Sequence, residues 1–140
     1  MVEKILGPDE KLCSDWPVQG TTGYEFANQM VQLLIPAQNA AKTAAVYNRF
    51  LGSRPSYPEI VYRSKKLVME SAIASEVNVL GMLLNRISES HRWYRDFTVN
   101  ALTTAVREVI ACFSVYRTYL DPVQPADESD RRVIQRALAL

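Results

Sequence analysis

Histidine and cysteine are scarce in this chain, and their scarcity limits the metal and nucleophile chemistry that it can carry. The 140 residues include one histidine and two cysteines. His91 alone cannot supply the two imidazoles of a two-histidine zinc site, and no nucleophile-elbow sequence accompanies it. Cys13 and Cys112 lie far apart and form no CxxC pair, so we interpret them as reduced, partly buried thiols. We therefore expect no metal site and no cofactor.

Long apolar runs and an excess of one charge are also lacking. The 16 basic and 15 acidic residues are interspersed and give a formal net charge of +1, so no electrostatic reason exists to expect nucleic acid or an anionic membrane as a partner. No run approaches the ~20 apolar residues that a bilayer span needs. The first residues do not read as a signal peptide, because they have no long apolar core and no small-residue cleavage site. We expect a cytoplasmic protein without nucleic-acid or membrane partners.

The residues that are present predict an all-α fold. An apolar fraction of 48% suits a single globular domain of this length. We expect a helical bundle of four to five helices behind a short extended lead-in. Residues 1–6 read as a short strand that Gly7 and Pro8 end, and residues 9–20 read as a loop. Thr22 and Glu25 fit a reciprocal cap at the start of the first helix.

Apolar periodicity and breaker residues define the predicted helices. The longest is continuous from Pro58 to Ser90 and forms a rod of ~50 Å, and Gly81 weakens it by up to ~1 kcal/mol unless a neighbour packs closely there. Its inward face is predicted to be Ile73, Val77, Leu80, Leu84 and Ile87. The other helices are expected from about Thr22 to Leu34, from Ala37 to Leu51 with Gly52 as the C′ residue, from Asp96 or Thr98 to Phe113, and from about Asp127 to the last residue.

The segments outside these helices carry further expectations. Residues 114–120 are β-branched and aromatic and should be extended, with Pro122 and Pro125 around a turn. A lone strand at the start would leave backbone groups unpaired, and the last helix runs into an apolar residue without a cap. Both ends therefore read as internal boundaries of a longer protein.

Three places are candidates for function. Glu3 follows a short apolar-flanked strand, where a carboxylate often points into a cleft, although a surface salt bridge is the commoner reading of a lone acid. Gly20-Thr21-Thr22-Gly23-Tyr24 allows close ligand approach, or simply feeds a capped helix. Val115-Tyr116-Arg117-Thr118-Tyr119 should place Tyr116 and Thr118 on one side and Arg117 and Tyr119 on the other. Sugar sites favour such aromatic and guanidinium groups, and so do ordinary helix junctions.

Taken in order, several segments resemble one enzyme family, the maltooligosyl trehalose synthases of the α-amylase superfamily (glycoside hydrolase family 13). The similarity extends from Val2 to about Arg132. The matching segments are Val2-Glu3-Lys4-Ile5-Leu6-Gly7, Trp16-Pro17-Val18, Gly20-Thr21-Thr22-Gly23-Tyr24-Glu25-Phe26, Lys65-Lys66-Leu67-Val68-Met69, Ala74-Ser75-Glu76-Val77-Asn78, Arg95-Asp96-Phe97-Thr98 and Ala111-Cys112-Phe113-Ser114-Val115-Tyr116-Arg117-Thr118-Tyr119. Glu25, Ala27 and Ser114 depart from the family's usual Asp, Leu and Pro.

The resemblance implies a fold context and a reaction. These enzymes are (β/α)8 barrels that convert the reducing-end α-1,4 bond of a malto-oligosaccharide into an α,α-1,1 bond. Glu3 then corresponds to the general acid/base carboxylate, with Lys4, Tyr24, Tyr116, Arg117 and Tyr119 as sugar-contacting candidates. Residues 1–20 would be the end of a barrel strand with its loop, and residues 21–140 a helical insertion domain.

The same resemblance sets expectations for partners. The partner nucleophile and the transition-state-stabilising Asp would lie outside the 140 residues, so the chain alone should be inactive. It would work with a malto-oligosaccharide and with the remainder of the catalytic barrel, and its uncovered face would favour self-association. The alternative is a non-enzymatic helical module that binds a partner protein.

Overall fold

A computed structural model describes residues 1–7, 10–120, 123 and 125–139 as two compact units, Met1–Pro55 and Ser56–Leu140. The predicted all-α class is confirmed, with six α-helices in the described residues instead of four to five. They are α1 (Tyr24–Leu34), α2 (Ala40–Leu51), α3 (Tyr57–Ser71), α4 (Ala74–Ser90), α5 (Val99–Cys112) and α6 (Glu128–Leu138), and a single 3-10 turn, Ala37–Asn39, precedes α2. The predicted boundary after residue 20 falls inside the first unit and stays a prediction. The expectations for Pro8, Asp9, Pro122 and Leu140 concern residues outside the described ranges.

The extended lead-in of the first unit is paired, contrary to the expectation of a lone strand. The amide of Val2 donates to the carbonyl of Gly20 at 3.0 Å, and the amide of Thr22 donates to the carbonyl of Val2 at 3.1 Å. These bonds form an isolated parallel bridge between Val2 and Thr21. A loop therefore returns to the lead-in and satisfies backbone groups that were predicted to be unpaired.

The N-cap of the first helix lies one residue later than predicted. Gly23 is the N-cap of α1, in a left-handed conformation with φ of 106°, and no side chain caps the helix there. The predicted reciprocal cap between Thr22 and Glu25 is therefore wrong, and the neighbouring Thr21 contacts Glu25 instead. At the end of α2 the prediction holds, because Gly52 adopts φ of 67° and its amide reaches the carbonyl of Arg49.

The predicted 50 Å rod does not exist. The chain leaves the helix at Ala72 and Ile73, and α3 and α4 meet at an angle of 89°. The amides of Ala72 and Ile73 both donate to the carbonyl of Val68, at 2.8 and 3.2 Å, and this shared acceptor ends α3. The hydroxyl of Ser71 also bonds back to the carbonyl of Leu67 at 2.7 Å, a type of contact that often bends helices.

Core packing explains why the bend forms without a glycine or proline. Met69 in the last turn of α3 and Val77 in the first turn of α4 are each 1% exposed, and they form the core with Ala111 of α5. In a straight helix these two side chains would lie ~12 Å apart along the axis. The bend brings both side chains against α5. The free energy gained by burying two large apolar side chains offsets the loss of helical hydrogen bonds at the break.

The buried face of α4 differs from the predicted one. Val77 is buried as expected and Leu84 is half-buried, but Leu80 and Ile87 are 45% and 59% exposed. Gly81 and Ser88 are buried in their place. A Cβ on Gly81 would lie 2.1 Å from Oγ1 and 3.2 Å from Cα of Thr103 in α5. Small residues thus let the backbones of α4 and α5 approach closely. A close neighbour was the condition under which Gly81 was expected not to weaken its helix.

Local capping chemistry defines the last two helices. The Thr98 hydroxyl accepts the amide of Ala101 at the start of α5, and the Asp127 carboxylate accepts the amide of Asp130 at the start of α6. In the part of the chain that the structure describes, no single helix is long and apolar enough to cross a bilayer, although α3 and α4 together pass on length and composition as a pair bent by 89°.

Gly81→Ala is expected to destabilise the second unit despite the better helix propensity of alanine. The added Cβ has to displace Thr103, whose backbone limits how far it can move, and such overpacking costs about 1–3 kcal/mol. Urea unfolding followed by circular dichroism measures the change. Asn78→Ala, on the exposed side of α4, is the matched control and should be neutral or stabilising. A Gly81→Ala variant at least as stable as the parent would contradict the close crossing.

Candidate functional site

Glu3 lies beside the start of α1, where the bridge at Val2 holds the lead-in against the loop. The Tyr24 hydroxyl donates to Oε1 of Glu3 at 3.4 Å, a long hydrogen bond. Both side chains are exposed, with 36% of Tyr24 accessible. Two sequence segments 21 residues apart are therefore brought together as the candidate site.

Lys4 is buried, whereas Glu3 is exposed. Its ammonium lies 2.6 Å from Oε1 of Glu10, and the two side chains are 7% and 12% exposed. Oε2 of Glu10 accepts the amide of Gly7 at 3.0 Å. The structure therefore gives Lys4 an acidic partner within the chain, and a direct contact of Lys4 with sugar stays a prediction.

The glycine-threonine segment is organised by Thr21. Its hydroxyl donates to the Glu25 carboxylate and accepts the Gly23 amide at 3.3 Å. Hydrogen bonding to Thr21, with a smaller contribution from the backbone amide of Glu25, lowers the pKa of the Glu25 carboxyl below its ordinary value. The segment thus fixes the first turn of α1, and with it the position of Tyr24.

The tyrosine-arginine segment lies in the second unit, after α5. The Arg117 guanidinium lies over the Tyr119 ring at 4.7 Å, so these two side chains share one side, as the alternation predicted. Tyr116 is 87% exposed. The structure brings Glu3 together with Tyr24 in the first unit, and Arg117 together with Tyr119 in the second.

A polar cluster between α3 and α5 was missed by the sequence analysis. The Tyr62 hydroxyl and the Lys66 ammonium both donate to Glu108, at 2.5 and 2.6 Å. Lys66 and then Tyr62 lower the pKa of Glu108, and Glu108 and then Tyr62 raise the pKa of Lys66. The spacing of Tyr62 and Lys66 by four residues put them on one helix face, but nothing identified Glu108 as their partner.

The chemistry open to this arrangement is proton transfer by a carboxylate. An exposed Glu3 can give or take a proton, and Tyr24 and Lys4 neighbour it without enclosing it. Within the described residues, no three His, Cys, Asp or Glu side chains are grouped so that they could hold a metal ion. A retaining glycosyl transfer would need a second carboxylate about 5–5.5 Å from Glu3.

Thr21→Val is expected to raise the pKa of Glu25, because the hydroxyl that stabilises the charged carboxylate is removed. Titration of the Glu25 side-chain carboxyl by NMR measures the shift. Thr22→Val is the control, since the Thr22 side chain is not part of this contact, and it should leave the Glu25 titration unchanged. Identical titration in the parent and the Thr21→Val chain would show that Thr21 does not bond Glu25 in solution.

Comparison of the chain with models of known families, with curated proteins and with solved structures finds no match. The similarity to the maltooligosyl trehalose synthases therefore depends on the sequence motifs quoted above, and the function that it implies is a proposal.

Proposed function

We propose that this chain is an internal piece of a maltooligosyl trehalose synthase, a cytoplasmic isomerase that moves a glycosyl group within one malto-oligosaccharide. The observation that carries the proposal is the contact between Glu3 and Tyr24. Each belongs to a different motif of the resemblance, and the fold of the first unit joins the two motifs at one exposed carboxylate. The remainder of the barrel would supply the other catalytic carboxylates.

Glu3 would act first as an acid and then as a base. As the α-1,4 bond breaks, the protonated carboxyl gives its proton to the departing 4-oxygen while the partner carboxylate takes the glycosyl group. The resulting Glu3 carboxylate then removes a proton from the anomeric hydroxyl of the released glucose, which attacks the glycosyl-enzyme intermediate and forms the α,α-1,1 bond. Water competes for that intermediate, so the released sugar has to stay in place.

The tyrosines and Arg117 would hold the sugar. Exposed aromatic rings such as Tyr116 offer apolar faces to a pyranose, and Arg117, stacked on Tyr119, offers planar donors to its hydroxyl groups. Tyr24 combines contact with Glu3 and partial exposure, so it can also reach a ligand beside the carboxylate. Substrate-holding groups of this kind contribute orientation, which a transfer reaction needs more than hydrolysis does.

Glu3→Gln in the complete protein encoded by the gene is expected to lower trehalose-forming turnover of maltopentaose by about 10²–10⁴-fold, because glutamine cannot exchange the proton. Loss of reducing ends measures the reaction. Glu70→Gln, on the exposed side of α3, is the matched control and should keep the parent rate. Full activity in the Glu3→Gln protein, or none in the parent, would overturn the proposal.

A second candidate function, a helical module that binds a partner, has its own observation. α4 carries an exposed apolar stripe beside its buried face, formed by Leu80, Leu83 and Ile87, which are 45%, 46% and 59% exposed. A stripe of this kind attracts an apolar surface. In the enzyme that surface would belong to the rest of the same protein, and in the module to another one. Continuous coding sequence on both sides of these 140 codons favours the enzyme, and a start and stop codon at their ends favours the module.

The 140-residue chain by itself is expected to self-associate through the α4 stripe. Light scattering after size-exclusion chromatography should give a dimer mass at high concentration and a lower mass on dilution. Leu80→Lys with Ile87→Lys should shift the chain to monomer, whereas Ser75→Lys, exposed on α4 outside the stripe, should not. A strict monomer at every concentration would contradict the attraction proposed for this stripe.

A further inference from the structure

We propose that the ion pair between Lys4 and Glu10 is the device that positions Glu3, and that Lys4 and Glu10 are therefore positioning residues. The inference rests on the proposed function of Glu3 as a proton donor. It gives Lys4 a role that the similarity to the enzyme family did not assign, since Lys4 was expected to contact sugar directly.

The exposure of side chains alternates along the lead-in. Glu3 is exposed, Lys4 is 9% exposed, and Ile5 is 62% exposed. Neighbouring side chains of an extended segment point to opposite faces. A backbone conformation that directs Lys4 inward therefore directs Glu3 outward. Any rotation of the backbone that moved Lys4 would also move the Glu3 carboxylate.

Glu10 contacts both Lys4 and Gly7. Its carboxylate holds Lys4 through Oε1 at 2.6 Å and the Gly7 amide through Oε2 at 3.0 Å. The Glu10 amide also donates to the Gly7 carbonyl at 3.1 Å. Glu10 thereby links Gly7 to Lys4 through its carboxylate.

Glu3 lies between two residues that are attached to the rest of the first unit. On one side Val2 is fixed by backbone bonds to Gly20 and Thr22, and on the other side Lys4 is fixed by Glu10. Glu3 is the single residue between these two attachments. One neighbour of Glu3 is held by its backbone and the other by its side chain, while the Glu3 side chain itself stays exposed.

The burial of the Lys4–Glu10 pair has a free-energy cost. Moving an ammonium and a carboxylate out of water is unfavourable, and a buried pair often contributes little net stability compared with apolar side chains. Apolar residues at both position 4 and position 10 would therefore serve a purely structural role at least as well. Positioning accounts for a charged pair at this place, because a misplacement of ~1 Å at a reacting group can cost about 10²-fold in rate.

The test uses the complete protein encoded by the gene, assayed with maltopentaose well below the melting temperature of each variant. Lys4→Met and Glu10→Gln are each expected to lower kcat at least tenfold while KM changes less than twofold, because Glu3 is misaimed and substrate binding is not touched. The double variant should be no slower than the slower single variant, since both changes remove the ion pair between Lys4 and Glu10. Glu10→Gln keeps the side-chain length and an acceptor for the Gly7 amide, so it decides the question if Lys4→Met fails to fold.

Lys66→Met is the matched control, because Lys66 and Glu108 form an ion pair of the same length, 2.6 Å, within the second unit. It should lower the melting temperature and leave kcat within twofold of the parent. Parent-like kcat in Glu10→Gln, or losses that multiply in the double variant, would overturn the positioning role while Glu3→Gln still abolishes activity. An inactive parent, or an active Glu3→Gln protein, would instead overturn the proposed function itself and this inference with it.

Discussion

The second unit depends on one constraint, which is that α3 and α4 must both pack against α5. Met69 and Val77 reach the same core as Ala111 only because the chain turns by 89° between them. The turn then fixes how α4 crosses α5, and the contact of Gly81 with Thr103 sets the distance of that crossing. The polar cluster of Lys66 and Glu108 holds α3 against the same helix from its polar side.

Helix ends were predictable where one residue satisfies the backbone locally. Thr98, Asp127 and Gly52 each act at the terminus that their chemistry predicts. The break at Ala72 was not predictable, because its cause is a core formed with a helix some 30–40 residues further along the chain. The burial of α4 was wrong for a related reason, since apolar periodicity favours the face with the largest side chains, whereas a close helix crossing selects small ones.

The candidate site was predictable in part. Period-2 alternation placed Arg117 with Tyr119, and the motifs identified Glu3 and Tyr24 separately. The contact of Glu3 with Tyr24 depends on the bridge at Val2. This bridge was not predicted, because no second strand was identified for the lead-in to pair with. The ion pair of Lys4 with Glu10 was missed likewise, since no helix or strand periodicity relates these two positions in the sequence.

The lack of burial in α1 and α2 has a consequence for the dynamics of the site. All residues of these two helices are described, and none is buried. Local opening of such helices costs little free energy, because few apolar contacts are lost when the turns unwind. Tyr24 is the first residue of α1, so opening of this helix would release its hydrogen bond to Glu3. A ligand or a packing neighbour that orders α1 would have to offset the entropy lost when the Tyr24 side chain is fixed. Part of its binding free energy would thereby stabilise the hydrogen bond between Tyr24 and the Glu3 carboxylate.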